Sequence, residues 1–181
     1  MTFRGPSPGS EPEVAALEAL VLALFHDQRG PALTEPAPAG TTGIFITLHS
    51  YSNLILWPWG NSAAPAPNKP DLKAIGDKLS TYNNYFSCQP SECLYLSNGT
   101  SDDWAYGVLG IPAFTFEIGN QFMPSYGEID AIKWPENKPA FIYAAKIART
   151  PYMTVHGPDA IDLVIDNSGP SPTLSAIIDD R

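Results

Sequence analysis

Two ionisable side chains lie near the ends of segments that have the composition of buried strands. The first segment, GIFITLH at 43–49, ends on His49, and a polar Ser-Tyr-Ser-Asn follows it. The second, AFTFEIG at 113–119, carries Glu117 near its end. Because ligands of open α/β sheets bind beyond the carboxyl ends of the strands, both side chains are candidates for catalysis or metal binding.

A carboxylate inside an apolar strand indicates either an ion pair or a functional role. Alternation along a strand places Glu117 on the same face as Thr115, and His49 on the same face as Thr47. Burial of an unpaired carboxylate is costly and raises its pKa towards the range of a general base. An ion pair with an arginine is the structural alternative for Glu117, and a histidine bonded to the backbone is the alternative for His49. We favour a functional role for Glu117.

The segment LYLSNGTSDDW, at 94–104, combines a turn with the start of a predicted helix. Its Asn-Gly pair indicates the turn, and Thr100 and Ser101 are typical of a helix N-terminus. Asp102 and Asp103 follow in the first helical turn, where the helix dipole favours negative charge. This structural explanation accounts for at least one of the two carboxylates.

Two cysteines, Cys88 and Cys93, lie five residues apart in the segment CQPSEC. No C-x-x-C motif is present and no histidine is close in sequence, which argues against a structural zinc site. A small loop disulfide, typical of a secreted protein, is the favoured interpretation. Two free thiols are the alternative.

Apolar periodicity and turn residues divide the chain into alternating helices and strands, which predicts a layered α/β fold. Loops rich in Pro, Gly and Ala separate the elements at 29–42 and 62–70. The predicted helices are 10–26, with Ser10 as its N-cap, 71–86, 101–110 and 137–150, and the predicted strands are 43–49 and 113–119.

The composition changes beyond Pro151, so a boundary is predicted at about residue 152. Residues 1–152 are expected to form the α/β unit. Residues 153–181 are expected to form a linker and the start of a truncated accessory β region, whose first strand falls within 167–181.

The overall composition favours a globular domain and excludes some partners. The 181 residues are 44% hydrophobic and 16% charged, and the formal net charge is −9. This charge argues against nucleic acid or an anionic membrane as the main partner. No apolar run has the length of a membrane span, and the first residues lack the apolar core of a signal peptide.

Several segments, taken together, resemble the zinc carboxypeptidases of the carboxypeptidase A/T type, peptidase family M14. The order and spacing of the segments agree with that family from about Phe3 to Thr150. The resemblance implies a partial three-layer α/β/α sandwich with a mixed, mostly parallel sheet. The matching segments are FRGPSPGSEPEVAAL (3–17), HSYSNLILWPWG (49–60), LYLSNGTSDDWAYG (94–107) and GIPAFTFEIG (110–119).

The resemblance also implies roles for individual residues. His49 resembles the third ligand of the catalytic Zn²⁺, and Glu117 resembles the general base that activates the zinc-bound water and protonates the leaving amine. Tyr95 resembles the mobile tyrosine that closes over the C-terminal carboxylate of the substrate. Ser50 and Tyr51 resemble substrate-subsite residues that a non-proline cis peptide bond joins in the family.

Three further residues resemble the lining of the family's specificity pocket: Gly60, Asp102 and Thr115. An aspartate at the position of Asp102 resembles the subtype that prefers C-terminal lysine or arginine, since a carboxylate at a pocket base selects a cation by pairing with it. Helix capping explains Asp102 as well, so both interpretations remain open.

The chain departs from the family pattern in what precedes it. The family's H-x-x-E zinc ligands, its carboxylate-binding residues and the arginine that polarises the scissile carbonyl all lie upstream of the matched region. We therefore expect this chain to be the second half of a catalytic domain, from a secreted protein that acts on peptide or protein C-termini. Alone it is expected to be inactive. A non-catalytic peptide-binding module and a split enzyme completed by a separate N-terminal half are the alternatives.

Overall fold

The computed structural model describes residues 5–179. None of its helices in this range is long and apolar enough to cross a membrane. The elements in chain order are α1 (Pro12–Leu24), β1 (Phe45–His49), β2 (Leu54–Leu56), α2 (Lys69–Asn83), β3 (Phe86–Cys88), α3 (Pro90–Cys93), α4 (Ser101–Leu109), β4 (Ala113–Glu117), a π-helical turn (Ile129–Lys133), α5 (Trp134–Ile147), α6 (Pro151–Thr154), β5 (Asp159–Asp166) and β6 (Thr173–Asp179).

A four-stranded sheet organises the first part of the chain, in the order β1-β4-β2-β3. The pairs β1–β4 and β2–β3 are parallel, whereas β2 and β4 are antiparallel. The predicted fold class, α/β with a mixed and mostly parallel sheet, is therefore confirmed.

The core forms where apolar strand residues meet the apolar face of α2. Phe114 and Phe116 of β4 are fully buried, as is Ile55 of β2. The spacing of Leu72, Ile75 and Leu79 places all three on one face of α2, and each is fully buried. From α5, Phe141 adds a ring contact to Phe116 at 5.2 Å. Burying a side chain of this kind stabilises the fold by about 1.5–3 kcal/mol.

Some predicted helix boundaries differ from the observed ones for local reasons. The N-cap of α1 is Glu11 rather than Ser10, and Pro12 occupies the first helical turn. Helix α2 ends at Asn83 rather than at residue 86, because Asn84 adopts a left-handed conformation with φ of 58°. Helix α5 begins at Trp134, three residues earlier than predicted, directly after the π-helical turn.

Two strands of three residues each are absent from the sequence prediction. All residues of β2 are buried, because this strand lies between β4 and β3 in the sheet. An alternating pattern needs four to eight residues to be recognised, so strands this short give no periodic signal. In the sequence prediction, β2 is assigned to no element, and the first residue of β3 is assigned to the end of a helix.

The last elements form a separate two-stranded antiparallel sheet, β5–β6. Strand β6 lies within 167–181, where one strand is predicted, whereas β5 falls in the part of 153–181 before that segment, where no strand is predicted. Residues 180 and 181 of the predicted segment lie outside the described residues.

Candidate active site

The sheet brings His49 and Glu117 together although 67 residues separate them in sequence. Strands β1 and β4 run parallel and in register, so that these two residues are direct neighbours at the strand ends. His49 Nδ1 lies 3.9 Å from Glu117 Oε1. The Glu117 side chain is 13% exposed and that of His49 is 56% exposed, so the pair lies at the edge of the core.

The environment of Glu117 favours its protonated form more than water does. Burial raises the pKa of the Glu117 carboxyl, and the neighbouring His49 opposes this rise. A carboxyl with a raised pKa is suited to exchange protons with a reacting group near neutral pH. The carboxylate can therefore act as a base without a permanent cationic partner.

The loops that follow the two strands are fixed to each other by backbone hydrogen bonds. The carbonyl oxygen of Gly119 accepts from the N–H groups of Ser52 at 2.9 Å and Asn53 at 3.1 Å. The N–H of Gly119 donates to the hydroxyl oxygen of Tyr85 at 3.1 Å, and Asn137 Nδ2 donates to the same oxygen at 3.1 Å. This network fixes the chain on both sides of the strand ends.

A cleft of ≈ 390 Å³ lies beside the strand ends, and His49 and Glu117 are both part of its lining. Ser50 and Tyr51 are not part of it. Four other predicted site residues also line the cleft: Gly60, Tyr95, Asp102 and Thr115. The structure thus brings six of the eight predicted catalytic and binding residues to one concave surface.

Ser50 and Tyr51 lie directly beyond β1, outside the cleft. The peptide bond between them is cis, as the family resemblance implies. The Ser50 hydroxyl donates to the carbonyl oxygen of Phe122 at 3.0 Å, and the Tyr51 side chain is exposed. This bond connects the loop after β1 with the loop after β4.

The two neighbouring aspartates at the start of α4 differ in their contacts. Asp103 accepts from the Gly60 N–H at 2.8 Å and from the Asn61 N–H at 3.0 Å. Burial raises the pKa of Asp103 to about 6, and the charge of Asp102 adds to this effect. Asp102 is only 3% exposed, and its Oδ1 has no hydrogen-bond partner among the described residues. Asp103 therefore holds the backbone at Gly60 and Asn61 in place, whereas Asp102 Oδ1 accepts no hydrogen bond from the described residues.

This division between the aspartates is only partly visible in the sequence. The helix dipole accounts for one carboxylate at this position, but nothing local identifies Asp103 as the anchor of Gly60. Thr100 also lines the cleft, and sequence reasoning gives it only the role of a helix start.

A disulfide joins Cys88, the last residue of β3, to Cys93, the last residue of α3. Between them, the buried side chain of Gln89 donates through Nε2 to the carbonyl oxygens of Ser62 at 2.8 Å and Ala64 at 3.0 Å. The bridge and the amide together fix the turn that leads from the sheet to the cleft residue Pro90.

The described residues do not form a complete metal site. Across residues 5–179, no group of three His, Cys, Asp or Glu side chains is placed to hold a metal ion. A catalytic zinc requires three protein ligands, and His49 supplies a single imidazole at the cleft. The donor set that is present therefore fits part of a zinc site only.

Comparison with known families decides what this arrangement belongs to. Residues 1–139 match the Peptidase_M14 family, described as zinc carboxypeptidase. The chain belongs to the zinc carboxypeptidase family. The resemblance inferred from the sequence motifs is thereby confirmed.

Curated members of the zinc carboxypeptidase family are similar to the chain over most of its first part. Carboxypeptidase A5 of Macaca fascicularis is 33% identical over 123 residues, which are 65% of the chain and 25% of that protein. Carboxypeptidase O of Homo sapiens is 32% identical over 124 residues, which are 65% of the chain and 29% of that protein. The chain thus spans less than a third of the length of either relative.

Solved structures show the same fold. Bovine thrombin-activatable fibrinolysis inhibitor, in complex with tick carboxypeptidase inhibitor, has a TM-score of 0.63 and 25% identity, covering 84% of this chain and 49% of that chain. Carboxypeptidase A from Helicoverpa armigera has a TM-score of 0.60 and 21% identity, covering 82% of this chain and 36% of that chain. The second likeness is a likeness of fold alone.

Proposed function

We propose that the chain is part of a metallocarboxypeptidase that hydrolyses the C-terminal peptide bond of peptides and proteins. One observation carries the proposal: His49 and Glu117 lie side by side at the ends of two parallel strands, in a cleft that also contains Asp102. Membership of the zinc carboxypeptidase family supports the reaction class.

His49 and Glu117 take different roles in this proposal. His49 is a zinc ligand, and its Nδ1 is the ring atom directed towards Glu117. Zinc, when bound, polarises the scissile carbonyl and activates water. Glu117 accepts a proton and returns it to the leaving amine, a role that suits a carboxyl whose pKa burial has raised.

The substrate's C-terminus is held by residues on the cleft wall and on the neighbouring loop. Tyr95 lines the cleft and is 67% exposed, so its ring is free to close over a bound carboxylate. Gly60 and Thr115 line the pocket for the terminal side chain. Ser50 and Tyr51, outside the cleft, contact residues further along the peptide.

A basic terminal side chain is the proposed preference. Asp102 is buried in the lining of the cleft and has an acceptor oxygen without a partner among the described residues. A cationic side chain supplies the donor that this carboxylate lacks, by a charge-assisted hydrogen bond. In the longer native protein, Asp102→Asn is expected to lower kcat/KM for C-terminal arginine and lysine and to leave C-terminal leucine little changed.

Residues outside these 181 are proposed to supply the remaining zinc ligands. Two observations support this: the described residues place one imidazole at the cleft, and the chain spans less than a third of its curated relatives. The longer protein is proposed to be extracellular, because the Cys88–Cys93 disulfide is stable in an oxidising environment.

The intact mass and N-terminal sequence of the native protein test this directly. We expect a product well above 19.5 kDa that carries an H-x-x-E segment upstream of the region described here. A native product of 19.5 kDa that begins at Met1 would contradict the proposal that upstream residues complete the site.

The 181-residue chain alone is expected to bind no stoichiometric zinc and to release no C-terminal residue. A single imidazole cannot hold catalytic zinc, which takes three protein ligands. Metal content by mass spectrometry and turnover of a peptide ending in arginine measure the two quantities. Turnover by the purified chain would sink this expectation.

A matched pair of variants in the longer protein separates the two roles. His49→Ala is expected to lose zinc and activity together. Glu117→Gln is expected to keep zinc while kcat falls by about 10²–10⁴-fold, the usual contribution of a general base. Retention of zinc by the His49 variant would remove His49 from the ligand set.

A non-catalytic peptide-binding module is the second candidate. The incomplete donor set among the described residues favours it over an autonomous enzyme. A native protein without an upstream H-x-x-E segment that still binds peptides ending in arginine would identify this function.

A further inference from the structure

Oxygen atoms of three side chains surround the space above Gly60 in the cleft. A Cβ atom placed on Gly60 would lie 3.6 Å from Ser97 Oγ, from Thr100 Oγ1 and from Asp103 Oδ2. Because Gly60 has no side chain, this space is empty and the oxygens face it. We call this arrangement, formed by Gly60, Ser97, Thr100 and Asp103, the oxygen cup.

The hydroxyl group of Thr100 has no structural partner. Thr100 is the N-cap residue of α4, where a threonine hydroxyl normally accepts a backbone N–H, but here it makes no capping bond. Its Oγ1 is buried and has no hydrogen-bond partner among the described residues. The Thr100 hydroxyl therefore does not stabilise the N-terminus of α4 by a hydrogen bond.

Asp102 also has an unpaired polar atom, since its buried Oδ1 has no hydrogen-bond partner within the described residues. Thr100 and Asp102 both line the cleft. A buried acceptor without a partner is unfavourable, so two of them in one cleft indicate that a ligand supplies the donors. Asp103 does not compete for that ligand to the same extent, because Gly60 and Asn61 already donate to its two oxygens.

We propose that Thr100 is a specificity-determining residue, which accepts a hydrogen bond from the guanidinium group of a C-terminal arginine while Asp102 pairs with its charge. This inference rests on the proposed carboxypeptidase function and adds a distinction between the two basic residues. A guanidinium group presents five N–H donors in a rigid plane and can reach two separate acceptors, whereas an ammonium group is a compact point charge. Thr100 and Asp102 together therefore favour arginine over lysine.

Binding of small probes to the 181-residue chain tests the inference without metal or turnover. N-acetyl-arginine amide, N-acetyl-lysine amide and N-acetyl-leucine amide are titrated separately, and the amide resonances of Gly60, Asn61 and Asp102 are followed by NMR. Arginine is expected to bind most tightly and leucine most weakly. Thr100→Val keeps the shape of the side chain and removes the hydroxyl, and it is expected to weaken arginine binding by about 10–100-fold, the contribution of one hydrogen bond to a charged group.

Two further variants make the result specific. Thr100→Ser retains the hydroxyl and is expected to bind arginine as the native chain does. Gly60→Ala places a methyl group inside the cup at ordinary contact distances, so it is expected to weaken both basic probes. Thr100→Val is expected to unfold at the same temperature as the native chain, since the hydroxyl that it removes makes no hydrogen bond within the described residues.

The outcomes separate this inference from the function on which it rests. If the native chain binds arginine better than leucine and Thr100→Val binds arginine equally well, the role of Thr100 is overturned and the basic preference stands. If the native chain binds neither basic probe more tightly than leucine, the proposed basic preference is contradicted, and the role of Thr100 is contradicted with it.

Discussion

At the scale of single residues, the adjacent carboxylates of Asp102 and Asp103 make different contacts. Asp103 holds the Gly60 loop through two backbone N–H groups, and Asp102 keeps an oxygen unused in the cleft. The arrangement has an electrostatic cost, because burial and the neighbouring charge raise the pKa of Asp103 to about 6. The rise from 3.8 corresponds to about 3 kcal/mol between the two protonation states.

The raised pKa of Asp103 predicts a pH-dependent stability. The folded state binds the Asp103 proton more tightly than the unfolded state, so this contribution is full below about pH 4 and is lost as the pH rises through about 6. Asp103→Asn is expected to remove that part of the pH dependence, although one backbone N–H then loses its acceptor.

Urea unfolding at pH 4.5 and pH 7.5 measures the effect in the native chain and the variant. Asp77→Asn is the matched control, since the side chain of Asp77 on α2 is about half exposed (48%) and pairs with Lys73. Equal pH dependence in the native chain and Asp103→Asn would show that Asp103 does not titrate in this range.

At the scale of elements, one buried hydroxyl connects three parts of the chain. Tyr85, between α2 and β3, accepts hydrogen bonds from Asn137 of α5 and from Gly119 after β4. Its own O–H is directed to Glu136 at 3.4 Å. Gly119 is two residues beyond Glu117, so Tyr85 determines where the chain leaves the strand end.

Tyr85→Phe is expected to lower the free energy of unfolding by about 1–3 kcal/mol, because it leaves two buried donors without an acceptor. Chemical denaturation measures this quantity. Tyr126→Phe is the matched control and is expected to have no effect, since Tyr126 is 82% exposed. Equal stability of the Tyr85 and Tyr126 variants would contradict the bridging role.

At the scale of the whole molecule, the described part of the chain exposes an open strand edge and several apolar side chains. Strand β1 is the edge of the sheet and pairs only with β4 among the described residues. Large apolar side chains are exposed as well, including Leu20 (56%) and Leu24 (68%) of α1 and Leu48 (57%) of β1. An open strand edge and exposed leucines favour association with another polypeptide.

The isolated chain is therefore expected to self-associate as its concentration rises, which sedimentation velocity measures. Leu20→Glu places a charge on the exposed face of α1 and is expected to reduce association without loss of stability. Ile142→Glu, at an exposed position of α5, is the matched control and is expected to leave association unchanged. A chain that stays monomeric at all concentrations would contradict this prediction.

The sequence by itself determined the longer helices and strands and identified the candidate site residues at the ends of two strands. Apolar segments that end in His49 and Glu117, the helical spacing of Leu72, Ile75 and Leu79, and the family motifs all follow from local patterns. The helices and strands can be predicted because elements of ordinary length repeat their apolar residues with fixed periods. The α/β class could be predicted from them, and the mixed, mostly parallel sheet followed from the family resemblance.

Only the tertiary structure decided how distant residues meet. The in-register pairing of β1 with β4 places His49 beside Glu117, and the bond from Gly60 to Asp103 spans 43 residues. The short strand β2 (Leu54–Leu56) and the hydroxyl group of Thr100, which makes no capping bond, also have no local signature. Register, burial and unused acceptors depend on what packs against each residue, and that information is spread over the whole chain.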